Sequence, residues 1–252
     1  MKQSIIAIVI ARGGSIRLPR KNALPFCGQP LLAWSILQSK HSFNISHTFL
    51  STDDDEIEAI GRIHGVEIIR RPDWPNPDKL SAGPVIEHAV LEIEKQHDFD
   101  SFIVLLPTSP IREPDNLDNM IKLFNKDRTK DVIPLYNPKE MVVYKRVQPN
   151  LCFMYLFDKN YRYLTIAGGC QITDKKRLLH NDVDSFDTEK ETDVFLEENM
   201  EGGKLVNYYP FKWYQQFDID DKDDFELCEI LMERYILKGR GAGIYEEYAK
   251  SR

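Results

Sequence analysis

From position 11 the chain reads Ala11-Arg12-Gly13-Gly14-Ser15-Ile16-Arg17-Leu18-Pro19-Arg20-Lys21-Asn22. The paired glycines let a backbone approach a ligand closely and turn its N–H groups toward an anion. Four cations, Arg12, Arg17, Arg20 and Lys21, crowd this one stretch, a density that suits a triphosphate. The stretch is not a Walker A loop, because G-x-x-x-x-G-K-S/T is missing, and it is not a G-x-G-x-x-G turn. On composition alone a solvated basic loop is an equal reading. Far along the chain, Asp218 and Asp220 alternate around Ile219. An extended backbone puts both carboxylates on one face. Together with triphosphate oxygens they make a hard-oxygen site suited to Mg²⁺. The competing reading is a helix N-cap, for which Asp221, Asp223 and Asp224 also stand ready.

Other chemistry-bearing residues read as ordinary. Asp53, Asp54 and Asp55 cap and charge a following helix. The histidines at 41, 47, 64, 88, 97 and 180 form no ligand pair of useful spacing. The Tyr and Phe stripe at 153–163 reads as packing rather than as a stacking platform.

The elements that must position these residues alternate. Ile5–Ile10 is a continuous β-branched run, the signature of a strand buried on both faces of a parallel sheet. Residues 12–30 form a loop and 31–39 a helix. Strands are expected at 47–51, 66–69, 102–106 and 132–135, with helices at 53–64, 85–95 and 117–124. Residues 72–78 hold three prolines and exclude regular structure there. Strand, loop and helix in repetition predict an α/β domain, mainly parallel sheet with helices on both faces. Ligands of such sheets lie beyond the carboxyl ends of the strands. The rhythm breaks at 137–180, which is rich in Tyr and Phe and reads as an insertion carrying a dimer contact. Within the acidic stretch 182–203, Phe195 and Leu196 predict a short helix. A strand at 206–209 and an entry loop with a C-terminal helix over 217–237 complete the order.

The bulk numbers fit one domain spanning residues 1–252, with hydrophobic residues at 42% and charged residues at 29%. A net charge of −7 argues against a nucleic-acid or acidic-membrane partner, although clustered Arg and Lys still serve an anionic small substrate. Cys27, Cys152, Cys170 and Cys228 are widely spaced and form no C-x-x-C pair, so they read as thiols of a reducing compartment. The apolar run from Ile5 to Ala11 is too short to cross a membrane, and Arg12 follows it in place of a small-residue cleavage site. A cytoplasmic location is expected.

The 11–22 stretch resembles the A-R-G-G-S-K-R-(L/I)-P-x-K-N signature of acylneuraminate and Kdo cytidylyltransferases. Three further segments match that family in order. They are Ser51-Thr52-Asp53, Leu105 to Arg112 (resembling L-x-P-T-S-P-L-R), and Phe217-Asp218-Ile219-Asp220 (resembling I-D-I-D). Arg71-Pro72 and Asp78 add a weaker match. The resemblance covers 1–135 and 205–237 well and 136–204 poorly. It implies a Rossmann-like nucleotide-diphosphosugar transferase fold. It also implies CTP-dependent transfer to a 2-keto sugar acid, with Mg²⁺ held by Asp218 and Asp220, in a homodimer. By the same resemblance Arg12 and Lys21 hold the phosphates. Ser15 and Asn22 add hydrogen bonds to those phosphates, Ala11, Gly13 and Gly14 join them at the nucleotide, and Arg71 and Ser81 lie near base and ribose. Pro107, Thr108, Ser109 and Arg112 border the sugar. Three departures stand out. Ile16 replaces a lysine, Leu106 replaces a glutamine, and the R-x-N-G-A-I-Y element of sialic acid enzymes is not recognisable in 136–204. They leave open guanylyl transfer to a similar acid, and a nucleotide- or sugar-binding relative with little catalysis.

Overall fold

The computed structural model describes residues 4–75, 80–136, 142–148, 151–156, 165–166, 168–179 and 206–245, with the segments 142–148, 151–156 and 165–166 as backbone. The chain opens with β1 (Ile5–Ile10), a two-residue pair β2 (Pro25–Phe26) and β3 (Gln29–Pro30), and helix α1 (Leu31–His41). It continues through β4 (Thr48–Thr52), α2 (Asp55–Ile63), β5 (Glu67–Arg70), α3 (Ala82–Glu94), β6 (Ser101–Leu105), α4 (Asn116–Phe124) and β7 (Val132–Tyr136). A hairpin of β8 (Val142–Gln148) and β9 (Leu151–Leu156) follows, then β10 (Thr165–Ile166), β11 (Cys170–Asp174) and α5 (Lys175–Leu179). The last described elements are β12 (Asn207–Pro210), α6 (Lys222–Leu231) and a π-helical continuation, Met232–Arg240.

The main sheet runs β10-β7-β11-β6-β1-β4-β5, with β12 added to β7. β1 is parallel to both β4 and β6, β4 to β5, and β7 to β12. Only β10 and β11 run antiparallel within it among the described strands. The alternation of side chains in β1 and β6 decides which helices cover which face. Ile5, Ala7, Val9, Ile103 and Leu105 point to one side, under residues of α1, α2 and α4. Ile6, Ile8, Phe102 and Val104 point to the other, under Ile86, Ala89, Val90 and Ile93 of α3 and against Leu178 and Leu179 of α5. Helix α1 is buried on every side from Leu31 to Ser39. Its second face carries Leu31, Trp34 and Leu37 into a further core with Leu231, Met232 and Ile236. A helix buried all round belongs between two layers, and this one lies between the sheet and the C-terminal helix.

The expected α/β architecture is therefore present, and among the described residues the expected strands and helices form within a few residues of their expected bounds. The segment 137–180, read as an insertion, also contributes strands to the main sheet. β10 and β11 are strands of the main sheet, and β11 lies between β6 and β7. The side chains that would make a dimer contact in this segment, the predicted short helix at Phe195 and Leu196, and Asp78 lie outside the described residues. Among those described, no helix is long and apolar enough to cross a membrane.

Candidate active site

A cleft of about 580 Å³ opens where β1, β5 and β6 end. That size falls within the range of small-ligand sites. Arg12, Ser15, Ile16, Arg17, Lys21 and Asn22 line it from the loop after β1. Arg71 enters directly after β5, Ser81 stands at the start of α3, and Leu106, Pro107 and Thr108 follow β6. Asp218 and Asp220 close it from the segment before α6. An adjoining hollow of about 340 Å³ shares Arg12 and Arg71 and adds Gly13, Gly14, Asp53 and Trp74.

The cations in the cleft are held by their surroundings. Arg71 donates through Nε to the Ser51 hydroxyl at 3.0 Å and through its fork to the Ser51 carbonyl at 2.9 Å. Burial pushes its guanidinium down to about 10, against the pull of Asp53. Lys21 is buried, and its ammonium donates to the carbonyl of Ile219. Desolvation lowers it from its ordinary value, while Asp218 and Asp220 act in the other direction. Asn22 donates through Nδ2 to the Arg12 carbonyl at 3.0 Å. Its Oδ1 is buried without a protein hydrogen bond. An amide oxygen only accepts, so its fitting ligand atom is a donor such as a ribose hydroxyl or a base amine, and not a phosphate oxygen.

The two aspartates reach the cleft because a neighbour takes the capping task. Asp221 is the N-cap of α6, accepting from the amides of Asp223 and Asp224, and Asp224 reciprocates. The capping reading thus belongs to Asp221, and the carboxylates of Asp218 and Asp220 stay on the cleft wall. Asp218 accepts from the Ser109 hydroxyl at 2.8 Å, and Asp220 pairs with Arg17 at 2.7 Å. Among the described residues no three His, Cys, Asp or Glu side chains gather into a metal cluster. The donor set here is two carboxylates on a cleft lined by Arg12, Arg17, Lys21 and Arg71. That fits a hard cation which takes its remaining oxygens from phosphate and water.

Several expectations for individual residues are corrected. Ala11 is buried, and its amide donates to the Ser51 carbonyl at 3.0 Å, so it packs beneath the cleft rather than lining it. Gly13 directs its N–H to Asp53 Oδ1 at 2.9 Å instead of leaving it for an anion. A Cβ at Gly13 would lie 2.7 Å from the Cβ of Asp54, which is why the chain needs glycine there. Arg20 is turned away from the cleft. Its guanidinium binds both oxygens of Asp54, at 2.6 and 2.8 Å, and also Glu56. Arg112 is fully buried. It donates to Ser35, to Gln38 and to the carbonyls of Leu106, Gly168 and Gly169, so it staples the fold and is not among the residues lining the cleft or the adjoining hollow. Ser109 is likewise buried and acts on Asp218, not on the open pocket. The three aspartates after β4 also divide. Asp54 caps α2, Asp55 pairs with Arg70, and Asp53 holds the Gly13 amide. Only the Ser-Thr-Asp match set Asp53 apart from its neighbours.

Comparison with known proteins agrees with this geometry. The model for the family described as Cytidylyltransferase matches residues 6–148, more than half of the 252. The chain belongs to the cytidylyltransferase family. An N-acylneuraminate cytidylyltransferase of Escherichia coli O18:K1:H7 is 28% identical over 243 residues, covering 93% of this chain and 53% of the relative. A pseudaminic acid cytidylyltransferase of Campylobacter jejuni is 31% identical over 127 residues, covering 50% of this chain and 55% of the relative. The chain thus spans about half the length of both relatives. A solved CMP:2-keto-3-deoxy-manno-octonic acid synthetase, complexed with CTP, superposes with a TM-score of 0.69 at 17% identity. It covers 92% of this chain and 99% of its own, a likeness of fold. The family match takes in the 11–22 loop and the turn after β6, whereas Asp218 and Asp220 lie beyond it.

Proposed function

We propose that this cytidylyltransferase family member transfers CMP from CTP to a 2-keto sugar acid of the nonulosonic or Kdo-like class, releasing pyrophosphate. One observation carries the proposal. Arg12, Lys21 and Arg71 meet Asp218 and Asp220 on a single cleft at the carboxyl ends of the strands. The named sugars of its relatives, N-acylneuraminate, pseudaminic acid and 2-keto-3-deoxy-manno-octonic acid, support an acidic sugar as acceptor.

In this reading the anomeric hydroxyl attacks the α-phosphorus. A P–O bond to the sugar forms as the bond to the β-phosphate breaks, and the hydroxyl proton passes to solvent. Such transfer needs alignment and charge neutralisation more than covalent help from the protein. Arg12 and Lys21 bind the triphosphate, with Ser15 and the Gly13-Gly14 turn beside them. Asn22 Oδ1 accepts from the nucleoside, and Arg71 and Ser81 border base and ribose. Pro107 and Thr108 form the wall where the acceptor enters. Asp218 and Asp220 would hold Mg²⁺, which when bound neutralises charge on the phosphates. The buried cysteines Cys27, Cys170 and Cys228, none of them in a disulfide, support a reducing, cytoplasmic setting. A homodimer contact is assigned to 137–180 on its aromatic composition, and light scattering of the purified chain tests it.

The decisive experiment is pyrophosphate release across a matrix of nucleoside triphosphates and sugar acids. Release with CTP and a nonulosonic or Kdo-like acid is expected. Release with GTP instead would change the base. Tight nucleotide binding with no release from any pair would overturn the transfer reading.

A further inference from the structure

We propose that Ser109 is a positioning residue for the Asp218 carboxylate, and that Gly169 lacks a side chain so that Ser109 can stand there. The role assigned to Asp218 rests on the proposed function; the placement of Ser109 does not.

The backbone around Asp218 is pinned on both sides of its neighbour. Ile219 donates its N–H to the Thr108 carbonyl at 2.8 Å, and its own carbonyl receives the Lys21 ammonium. Ile219 itself is fully buried. These contacts fix where the Asp218 side chain starts, but not how its carboxylate is turned. The Ser109 hydroxyl does that, donating to Oδ1 at 2.8 Å from a buried position. A neutral donor holds the group without cancelling its charge. Asp220 is treated differently. Its partner Arg17 is a full cation, and both side chains are exposed, at 66% and 46%. An incoming triphosphate competes for Arg17 and frees Asp220, whereas nothing on the cleft competes for Ser109. Asp218 is thus the fixed carboxylate and Asp220 the releasable one.

Gly169 connects this device to the divergent part of the chain. Its φ is +41°, and a Cβ built there would lie 2.5 Å from Ser109 Oγ and 2.9 Å from Ser109 Cβ. Any side chain would push the hydroxyl off Asp218. The Gly169 carbonyl accepts from the Leu106 amide at 2.8 Å and from Arg112 at 3.2 Å. The buried arginine thereby locks the 168–169 turn against the turn that carries Ser109. Motif position alone puts Ser109 beside the sugar; the geometry puts it behind the carboxylate.

The test is Mn²⁺ binding in the presence of CTP, followed by electron paramagnetic resonance, for the full chain, Ser109→Ala, Asp218→Asn and the double variant. Loss of a partner behind a metal-binding group costs about 10- to 100-fold in metal affinity or activity. Ser109→Ala is therefore expected to weaken Mn²⁺ by about 10-fold or more and to lower kcat, with KM for CTP within about twofold. In the Asp218→Asn background the same substitution is expected to add nothing, because the group it positions has been changed. Undiminished Mn²⁺ affinity in Ser109→Ala, an equal loss in the Asp218→Asn background, or no Mn²⁺ binding by the unmodified chain would each overturn the proposal. Thermal melts verify the fold, and Ser109→Cys, a weaker donor of similar volume, replaces the alanine variant if that one does not fold. Failure of the unmodified chain to release pyrophosphate with any substrate pair would instead strike the transfer reading, and the Mn²⁺ cycle does not depend on it.

Discussion

The ammonium of Lys21 donates to the carbonyl of Ile219, the residue that separates Asp218 from Asp220. One buried cation thus ties the loop after β1 to the acidic segment before α6, across 198 positions of sequence. Lys21 lines the cleft and clamps the acidic segment, and in the proposed function it is also the charge that faces the phosphates. Lys21→Met keeps most of the volume and removes both functions. It is expected to lower kcat/KM with the best substrate pair by at least 100-fold, since misplacement by about 1 Å alone costs that much. Asp218→Asn and Asp220→Asn are each expected to lower kcat by a comparable factor with the melting temperature unchanged. Steady-state pyrophosphate release together with thermal melts measures all three.

Arg112 stands inside one of the four matching motifs, yet it makes its contacts with the fold. It donates to five acceptors in three separate segments and lines neither of the two hollows itself. A lysine at this position cannot reproduce a planar fork of donors. Arg112→Lys is expected to destabilise the chain by about 3 kcal/mol, because buried acceptors left unpaired cost about 1–3 kcal/mol each. Chemical denaturation reads that loss. In the fraction that remains folded, KM for the sugar acid should stay as it was; a rise in KM without loss of stability would return Arg112 to the pocket.

This division shows what a one-dimensional reading can reach. The buried run of β1 and the repeated strand–helix pattern define the sheet, and the loop and Asp218/Asp220 define the cleft. Their chemistry is local to each segment, so residue type and spacing reveal it. Arg112, Ser109 and Arg20 were legible as polar residues in functional motifs, but not as residues aimed inward. Their partners, Gly168 and Gly169, Asp218, and Asp54, lie 56, 57, 109 and 34 positions away. The strand β11 was hidden for a related reason. It pairs antiparallel inside a sheet whose other central strands run parallel, and it follows a segment with no helical or strand rhythm.

Asp54 offers a pH test of the loop's anchorage. Hydrogen bonding from Arg20 lowers its carboxyl from 3.8 to about 2, with burial opposing. Between those values the unfolded chain binds more protons than the folded one, so stability rises with pH across the window. The contribution is fully present above the unfolded value and is lost as pH falls through about 2. Arg20 is 42% exposed, so screening reduces the pair to about 1 kcal/mol. Arg20→Ala is expected to lower stability at neutral pH by that amount and to flatten its decline below pH 4, as read from urea titrations at several pH values.

Asn22 tests the nucleoside side of the cleft. Its free Oδ1 calls for a donor on the ligand. Asn22→Leu should raise KM for CTP by roughly 10-fold, the value of one hydrogen bond of about 1–1.5 kcal/mol. If the donor is a ribose hydroxyl, the same substitution should erase the preference for CTP over its 2′- or 3′-deoxy analogue. Equal KM values for Asn22→Leu and the unmodified chain would show that the amide faces no ligand.

Ile16 is 76% exposed at the mouth of the cleft, where the family signature carries a lysine. Two explanations fit this replacement: another cation has taken over, or transfer is weakened. The structure narrows the first. Arg20 is committed to Asp54 and Glu56 and does not line the cleft, so it is no substitute. Arg17 does line it, and its present partner is the exposed carboxylate of Asp220. If Arg17 has taken the lysine's place, Arg17→Ala should slow transfer by about 10- to 100-fold, the equivalent of one charge-assisted hydrogen bond of about 1.5–3 kcal/mol. Ile16→Lys should then do little, since the charge is already supplied. If transfer is instead weakened, Ile16→Lys should raise kcat by a similar factor and Arg17→Ala should cost less. Arg20→Ala serves as the reference, with its effect on stability and not on kcat. Steady-state kinetics of the three variants separates the two explanations, and an unchanged rate in both Ile16→Lys and Arg17→Ala would remove this end of the loop from the phosphates.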